Sequence, residues 1–209
     1  MADIAAVIFD VGQVLYHWNP RVLFERLIPD DQALDAFLRD VVPAHWHFQH
    51  DAGRPFAQTS AERIALFPEH AAHIPIWGER FNDSVGPVVD GMAQIVADLA
   101  ARDVPLYALT NYSAEFWPAF RAREAAMFAP FRDIVVSGEE RLVKPDPAIY
   151  ALALARFGLR AEQAIFIDDR EDNIAGARQV GMHGHLFSDA PTLRAELATH
   201  GLLPAIPAL

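Results

Sequence analysis

The 209 residues are 52% apolar and 22% charged, proportions that suit a globular chain with one main core and room for an inserted sub-domain. With no cysteine, the sequence has no disulfide framework, no thiolate metal site and no cysteine nucleophile. A formal net charge of −11 disfavours nucleic acid and anionic membrane surfaces as partners, so an anionic substrate has to be met by a local positive site or a metal ion.

The opening stretch MADIAAVIFDVGQVLY has no basic start, and Asp10 interrupts its apolar run, which is unlike a signal peptide. No later stretch approaches the length of a membrane span, so the cytoplasm is the expected location. Ile4–Phe9 is a short β-branched run ending at an acid, the signature of a buried parallel strand that delivers Asp10 to its C-terminal edge. Residues 17–85 show helical signals and no convincing strand. Asn19-Pro20 starts one helix, with Val22, Leu23, Arg26 and Leu27 on successive turns, and Asp31 starts another with Leu34, Phe37 and Leu38 inward. Thr59-Ser-Ala-Glu62 has the capping-box pattern, and Pro75 opens a last helix carrying Ile76, Trp77, Arg80 and Phe81.

Beyond this insert, apolar runs again end in polar residues. Val104–Leu109 ends in Thr110-Asn111, Ile134–Val136 in Ser137-Gly138, and Ala164–Ile167 in Asp168-Asp169. Between the runs, Met92, Ile95, Val96 and Leu99 share a helix face. Asp146-Pro147 starts a helix that Gly158 stops, and Asp172 caps one running to Gly181. The stretch Gly201–Leu209 is apolar and proline-bearing. Alternating strands and helices predict an α/β fold: a Rossmann-like parallel sheet with helices on both faces, formed by residues 1–16 and 86–209, with 17–85 an inserted all-helical cap. In such sheets ligands bind at the C-terminal strand edge, where all these polar endings fall.

Each polar ending has a plain structural reading as well as a chemical one. Asp10 can be a loop acid or, followed by Val11-Gly12, a carboxylate nucleophile. Thr110 and Asn111 can simply cap, or can hold substrate oxygens with a hydroxyl and backbone N–H groups. Lys144 can be solvated, or can neutralise charge on substrate or on Asp10. Asp168-Asp169 is the most telling, because two adjacent acids at a buried strand end call for a compensating cation such as Mg2+.

In this order the four motifs resemble those of the haloacid dehalogenase-like superfamily; LTNYSAEFWP, VKPDPAIY and FIDDREDNIAGA look most like its small bacterial phosphatases and dehalogenase-like proteins. The resemblance implies that Asp10 is nucleophile and metal ligand and that Gly12 lends only its backbone carbonyl to the metal. It implies that Asp169 ligates Mg2+ with Asp168 directly beside or behind it, and that Thr110 and the Asn111 N–H bind the transferring group. Lys144 then offsets the charge around Asp10, and Asn173 stands where many members carry a further acid. The substrate implied is a small anionic molecule; oligomeric state is not legible.

Gly12 departs from the pattern. Most phosphatases of this group have a second Asp there, which protonates the leaving oxygen and activates water. Losing such a group typically removes about 10²–10⁴-fold in rate. Three explanations compete: a leaving group needing little help; a replacement acid among His17, His45, His47 and His50; or dehalogenation, in which halide departs without a proton. Metal-free 2-haloacid dehalogenases of the family also lack the second Asp, but the Asp168-Asp169 pair argues for a metal and so for a Mg2+-dependent phosphatase. A binding module with little catalysis is the third reading. His47 is the histidine chosen for the substrate site. Trp46, Phe48 and Arg54 are further cap candidates for substrate contact, and Tyr112, Phe116 and Trp117 for the cavity mouth.

Overall fold

The computed structural model describes residues 4–204. Its strands are β1 (Ala6–Phe9), β2 (Tyr16–Trp18), β3 (Val85–Val88), β4 (Leu106–Thr110), β5 (Phe131–Val136), β6 (Ala164–Asp168) and β7 (His183–Leu186). Its helices are α1 (Asp31–Ala36), α2 (Ala44–Asp51), α3 (Phe56–Leu66), α4 (Ile74–Arg80), α5 (Met92–Ala100), α6 (Trp117–Arg123), α7 (Ala125–Phe128), α8 (Ser137–Glu140), α9 (Pro147–Phe157), α10 (Glu171–Gln179) and α11 (Ala190–Thr199). Five strands form a parallel sheet in the order β5-β4-β1-β6-β7. Among the described residues no helix is long and apolar enough to cross a membrane.

The central strands β1, β4 and β6 are buried on both faces, apolar up to the polar residues at their C-terminal ends, and their side chains alternate between faces. In β1, Val7 and Phe9 enter one core with α5, α6, α7 and α11, while Ala6 and Ile8 enter the other with α9 and α10. β4 and β6 divide in the same way: Leu106, Ala108, Ile165 and Ile167 on one side, Tyr107, Leu109, Ala164 and Phe166 on the other. The expected helix signals around α9 hold. Asp146 accepts from the Ala148 N–H at 2.9 Å, and Gly158 ends the helix at φ 67°, a left-handed turn that glycine adopts without strain.

Between β2 and β3 all regular elements are helical, and their core residues Phe24, Phe37, Trp46, Trp77 and Phe81 continue the larger of the two cores. β2 and β3 pair antiparallel, with Tyr16 opposite Val88 and Trp18 opposite Val85, so the chain leaves and re-enters the core through one two-stranded ribbon.

Several local expectations are corrected. Pro20–Leu23 is only a 3-10 turn, which leaves Val22 and Leu27 exposed. α1 does start at Asp31, capped by Asp30, which accepts from Ala33 N–H, but it is short and Phe37–Val41 continues as a π-turn. Thr59 is not a cap: α3 starts three residues earlier after Pro55, and the buried Thr59 hydroxyl faces His50. Asp172 lies in the first turn of α10, paired with Arg170, and does not cap it. β5 begins three residues before the expected start, and β7 was not expected, since HGHL has no apolar run. In the C-terminal stretch Leu202 and Leu203 are buried, and residues 205–209 lie outside the described range.

Candidate active site

β1 is the central strand, flanked by β4 and β6, so Asp10, Thr110-Asn111 and Asp168-Asp169 converge at one edge of the sheet. The Lys144 side chain, 1% exposed, reaches the same point. Its Nζ lies 2.8 Å from Asp10 Oδ1 and 2.7 Å from Asp168 Oδ2, above the Phe166 ring. Burial alone would lower the Lys144 ammonium, but Asp10 and Asp168 more than offset this and hold it above its ordinary value. Burial pushes the Asp10 carboxyl up, Lys144 pulls it down, and Asp168 adds to the rise.

Asp10 Oδ1 also accepts from Val11 N–H at 2.7 Å, which fixes the carboxylate at the strand end. Asp168 is fully engaged. It accepts from Lys144 Nζ, from the Arg170 N–H at 2.9 Å, and from Asn173 Nδ2 at 2.9 and 3.0 Å. A carboxylate has about four acceptor sites, so Asp168 has little left for a metal and serves to position Lys144. One oxygen from each of Asp10, Asp168 and Asp169 nevertheless lies within 4.8 Å of the others. Three hard oxygen donors against one ammonium leave two formal negative charges, which fits a divalent cation held chiefly by Asp10 and Asp169. Gly12 lines the same cavity.

A cavity of about 580 Å³ stands over this floor, in the range of small-molecule sites. Asp10, Gly12, Asn111, Lys144, Asp169 and Arg170 line it below. From the cap and ribbon, Trp18, Phe48, Phe81 and Val85 give it an apolar wall.

The residues expected at the site divide clearly. Asn111 lines the cavity, but its side chain is spent on the Lys144 backbone: Nδ2 donates to the carbonyl at 3.0 Å and Oδ1 accepts from the N–H at 2.9 Å. Thr110, 1% exposed, is not among the residues that line the cavity. Phe48 and Tyr112 line the cavity. Trp46, Phe116 and Trp117 are core, and Arg54 is tied to Glu62 on the cap.

Of the histidines, His17 is exposed and outside the cavity wall, and His50 is buried against Thr59 at 2.7 Å. His45 lines the cavity and is exposed. His47 lines it between the rings of Trp18 and Phe81, with centroids at 5.2 and 5.1 Å. That burial, with His50 nearby, pushes His47 down to about 3, so its ring is neutral near pH 7.

A buried acid of the cavity wall is not among the residues expected at the site. Asp51, the last residue of α2, is 4% exposed and lines the cavity opposite the carboxylate floor. Its Oδ2 lies 3.3 Å from His47 Nε2, and its Oδ1 has no hydrogen-bond partner. Burial raises its carboxyl well above the ordinary range, Asp10 adds to the rise and Lys144 opposes it. The available signal was its isolation, as it is the only carboxylate between Asp40 and Glu62, one helical turn after His47. The C-terminal end of α2 is moored to the core. Ser137 Oγ donates to the Asp51 carbonyl at 2.7 Å and accepts from Tyr112 N–H at 3.0 Å. A side chain at Gly53 would strike the Gly138 carbonyl at 2.9 Å.

A family model for haloacid dehalogenase-like hydrolases matches residues 4–181. A flavin mononucleotide hydrolase of Arabidopsis thaliana is 31% identical over 121 residues, 58% of this chain and 49% of that protein, so the chain spans about half the length of that relative. A sesquiterpene phosphatase of Aspergillus oryzae is 26% identical over 88% of this chain and 90% of its own. Among solved structures, a haloacid dehalogenase family enzyme of Bacteroides thetaiotaomicron in complex with magnesium and inorganic phosphate superposes with a TM-score of 0.67. It is 18% identical, covering 89% of this chain and 95% of that one.

Proposed function

We propose that this chain, which belongs to the haloacid dehalogenase-like hydrolase family, is a Mg2+-dependent phosphatase of small phosphomonoesters. The observation that carries the reading is the charge balance at the cavity floor. Asp10, Asp51, Asp169 and Asp172 line the cavity, and its only Lys or Arg residues are Lys144 and Arg170, each already paired with an acid. A phosphate dianion meets net repulsion there unless a divalent cation is held by the Asp10 and Asp169 oxygens. When bound, such a cation would supply the positive charge that offsets the phosphoryl oxygens.

The chain's own groups supply the rest. Asp10, with one oxygen held by Val11 N–H and Lys144, presents the other to phosphorus and forms an aspartyl phosphate. The backbone N–H groups of the Thr110-Asn111 segment hold the transferring group, while the Asn111 side chain keeps the Lys144 backbone in register. Asp168 and Asn173 aim the Lys144 ammonium. The apolar wall of Trp18, Phe48, Phe81 and Val85 suits an alcohol portion with substantial apolar or aromatic surface.

The sesquiterpene phosphatase and flavin mononucleotide hydrolase among the relatives are consistent with this chemistry. A metal-free dehalogenase has no use for the carboxylate cluster. Hydrolysis of aryl and alkyl phosphates is expected to stop on exhaustive chelation, to return with Mg2+, and to be lost in Asp10→Asn. Turnover that survives chelation overturns the metal-dependent reading.

A further inference from the structure

We propose that Asp51, carried by the cap, is the acid that protonates the leaving oxygen and the base that then activates water, taking over the task for which Gly12 has no side chain. The assignment rests on the phosphatase reading and adds its proton donor. Three geometric facts support it. The carboxyl is 4% exposed yet lines the cavity that Asp10 and Lys144 line from below. Its Oδ1 is unpartnered, while Oδ2 lies against His47 Nε2 at 3.3 Å. Its backbone carbonyl is held by Ser137, so the group is not a swinging loop acid but a fixed one.

The histidines are poorer candidates. His17 and His50 are not in the cavity wall, His45 lines it but is exposed, and His47, stacked between two aromatic rings, is held neutral. His47 is a positioning residue: its Nε2 lies 3.3 Å from Oδ2, which leaves Oδ1 as the unpartnered oxygen of the carboxyl. Burial raises this carboxyl well above its ordinary range, Asp10 adds to the rise and Lys144 opposes it, which favours the protonated form.

The steps balance. Asp10 attacks phosphorus, the bond from phosphorus to the ester oxygen breaks, and the Asp51 proton passes to that oxygen, giving a neutral alcohol, the aspartyl phosphate and an Asp51 carboxylate. Water then loses a proton to Asp51 as its oxygen attacks phosphorus. The bond to Asp10 breaks, hydrogen phosphate leaves, and both side chains return to their starting states.

The test compares phenyl phosphate with 2,4-dinitrophenyl phosphate, whose leaving group needs no proton, in wild type and Asp51→Asn with Mg2+ present. The assignment expects Asp51→Asn to slow phenyl phosphate by about 10²–10⁴-fold. With the dinitrophenyl ester, a burst of one phenolate per enzyme survives near the wild-type rate, followed by slow turnover. Equal slowing of the burst and of phenyl phosphate overturns it, as does no slowing of either.

A side chain begun at Gly12 meets nothing within 4 Å, so Gly12→Asp can be added to Asp51→Asn, and partial recovery of phenyl phosphate hydrolysis and of the slow dinitrophenyl turnover, with the burst unchanged, is expected. If Asn at position 51 prevents folding, Asp51→Glu keeps the acid but displaces it. Slowed phenyl phosphate with an unslowed dinitrophenyl burst then supports the assignment, and equal slowing of that burst refutes it. A wild type inactive on both esters refutes the phosphatase reading itself, and the assignment falls with it.

Discussion

Lys144→Met removes the only ammonium from the carboxylate floor while roughly filling its space. At an effective dielectric of about 20, each contact near 2.8 Å is worth about 6 kcal/mol before desolvation is counted. Burying the charges cancels most of that gain, but the cancellation does not help the variant, because the carboxylates stay buried when the lysine leaves. Breaking one partner out of a buried pair typically costs about 3–5 kcal/mol, and that is the loss expected here. Urea denaturation in the presence of a chelator measures it. Saturating Mg2+ should narrow the gap, because a divalent cation supplies the missing positive charge, and adding Asp168→Asn should recover part of the loss by removing one of the stranded acids. A loss under about 1 kcal/mol without metal would refute the picture of an ammonium compensating buried carboxylates.

Two other expectations concern the cap. His50, buried with Arg54 nearby, is held down to about 4 from an ordinary 6.5, so the unfolded chain takes up its proton first as pH falls. Its share of stability is complete above pH 6.5 and is lost on acidification toward pH 4, by about 3 kcal/mol at most; melting of His50→Gln over that interval should fall less steeply than wild type, and parallel curves would refute this. Ser137→Ala leaves the Tyr112 N–H and the Asp51 carbonyl without their shared hydroxyl, with an expected loss of about 1–3 kcal/mol in urea denaturation. Faster amide exchange at Ala52 and Gly53 should accompany that loss, and unchanged exchange would show that the hydroxyl does not moor the cap.

Sequence made the floor of the site legible because strand ends in a parallel sheet are local and directional. An apolar run such as Ala164–Ile167 announces where its following acids will stand. Lys144 was found through its motif neighbourhood, although its full burial is a tertiary fact. β7 was missed because an edge strand paired on one side only can be made of HGHL without an apolar run. The Thr59 box misled because the same hydroxyl that caps a helix can instead face a neighbouring helix, here at His50. Asp51 was missed for a related reason. Nothing in the pattern HWHFQHD says which face of α2 meets the cavity; that depends on how Trp46 and Trp77 pack inside the cap.

The ribbon of β2 and β3 gives this division a practical consequence. Both chain crossings lie side by side, so everything between them can be transplanted as a cassette without reconnecting the sheet. In a relative whose acid stands in the strand-end motif, such a graft would alter only which alcohols are accepted. Here it would also carry off the proton donor, leaving a core that can be phosphorylated by activated esters but does not turn over. Substrate choice and catalytic competence are thus inherited together in this chain, through a hinge of two short strands.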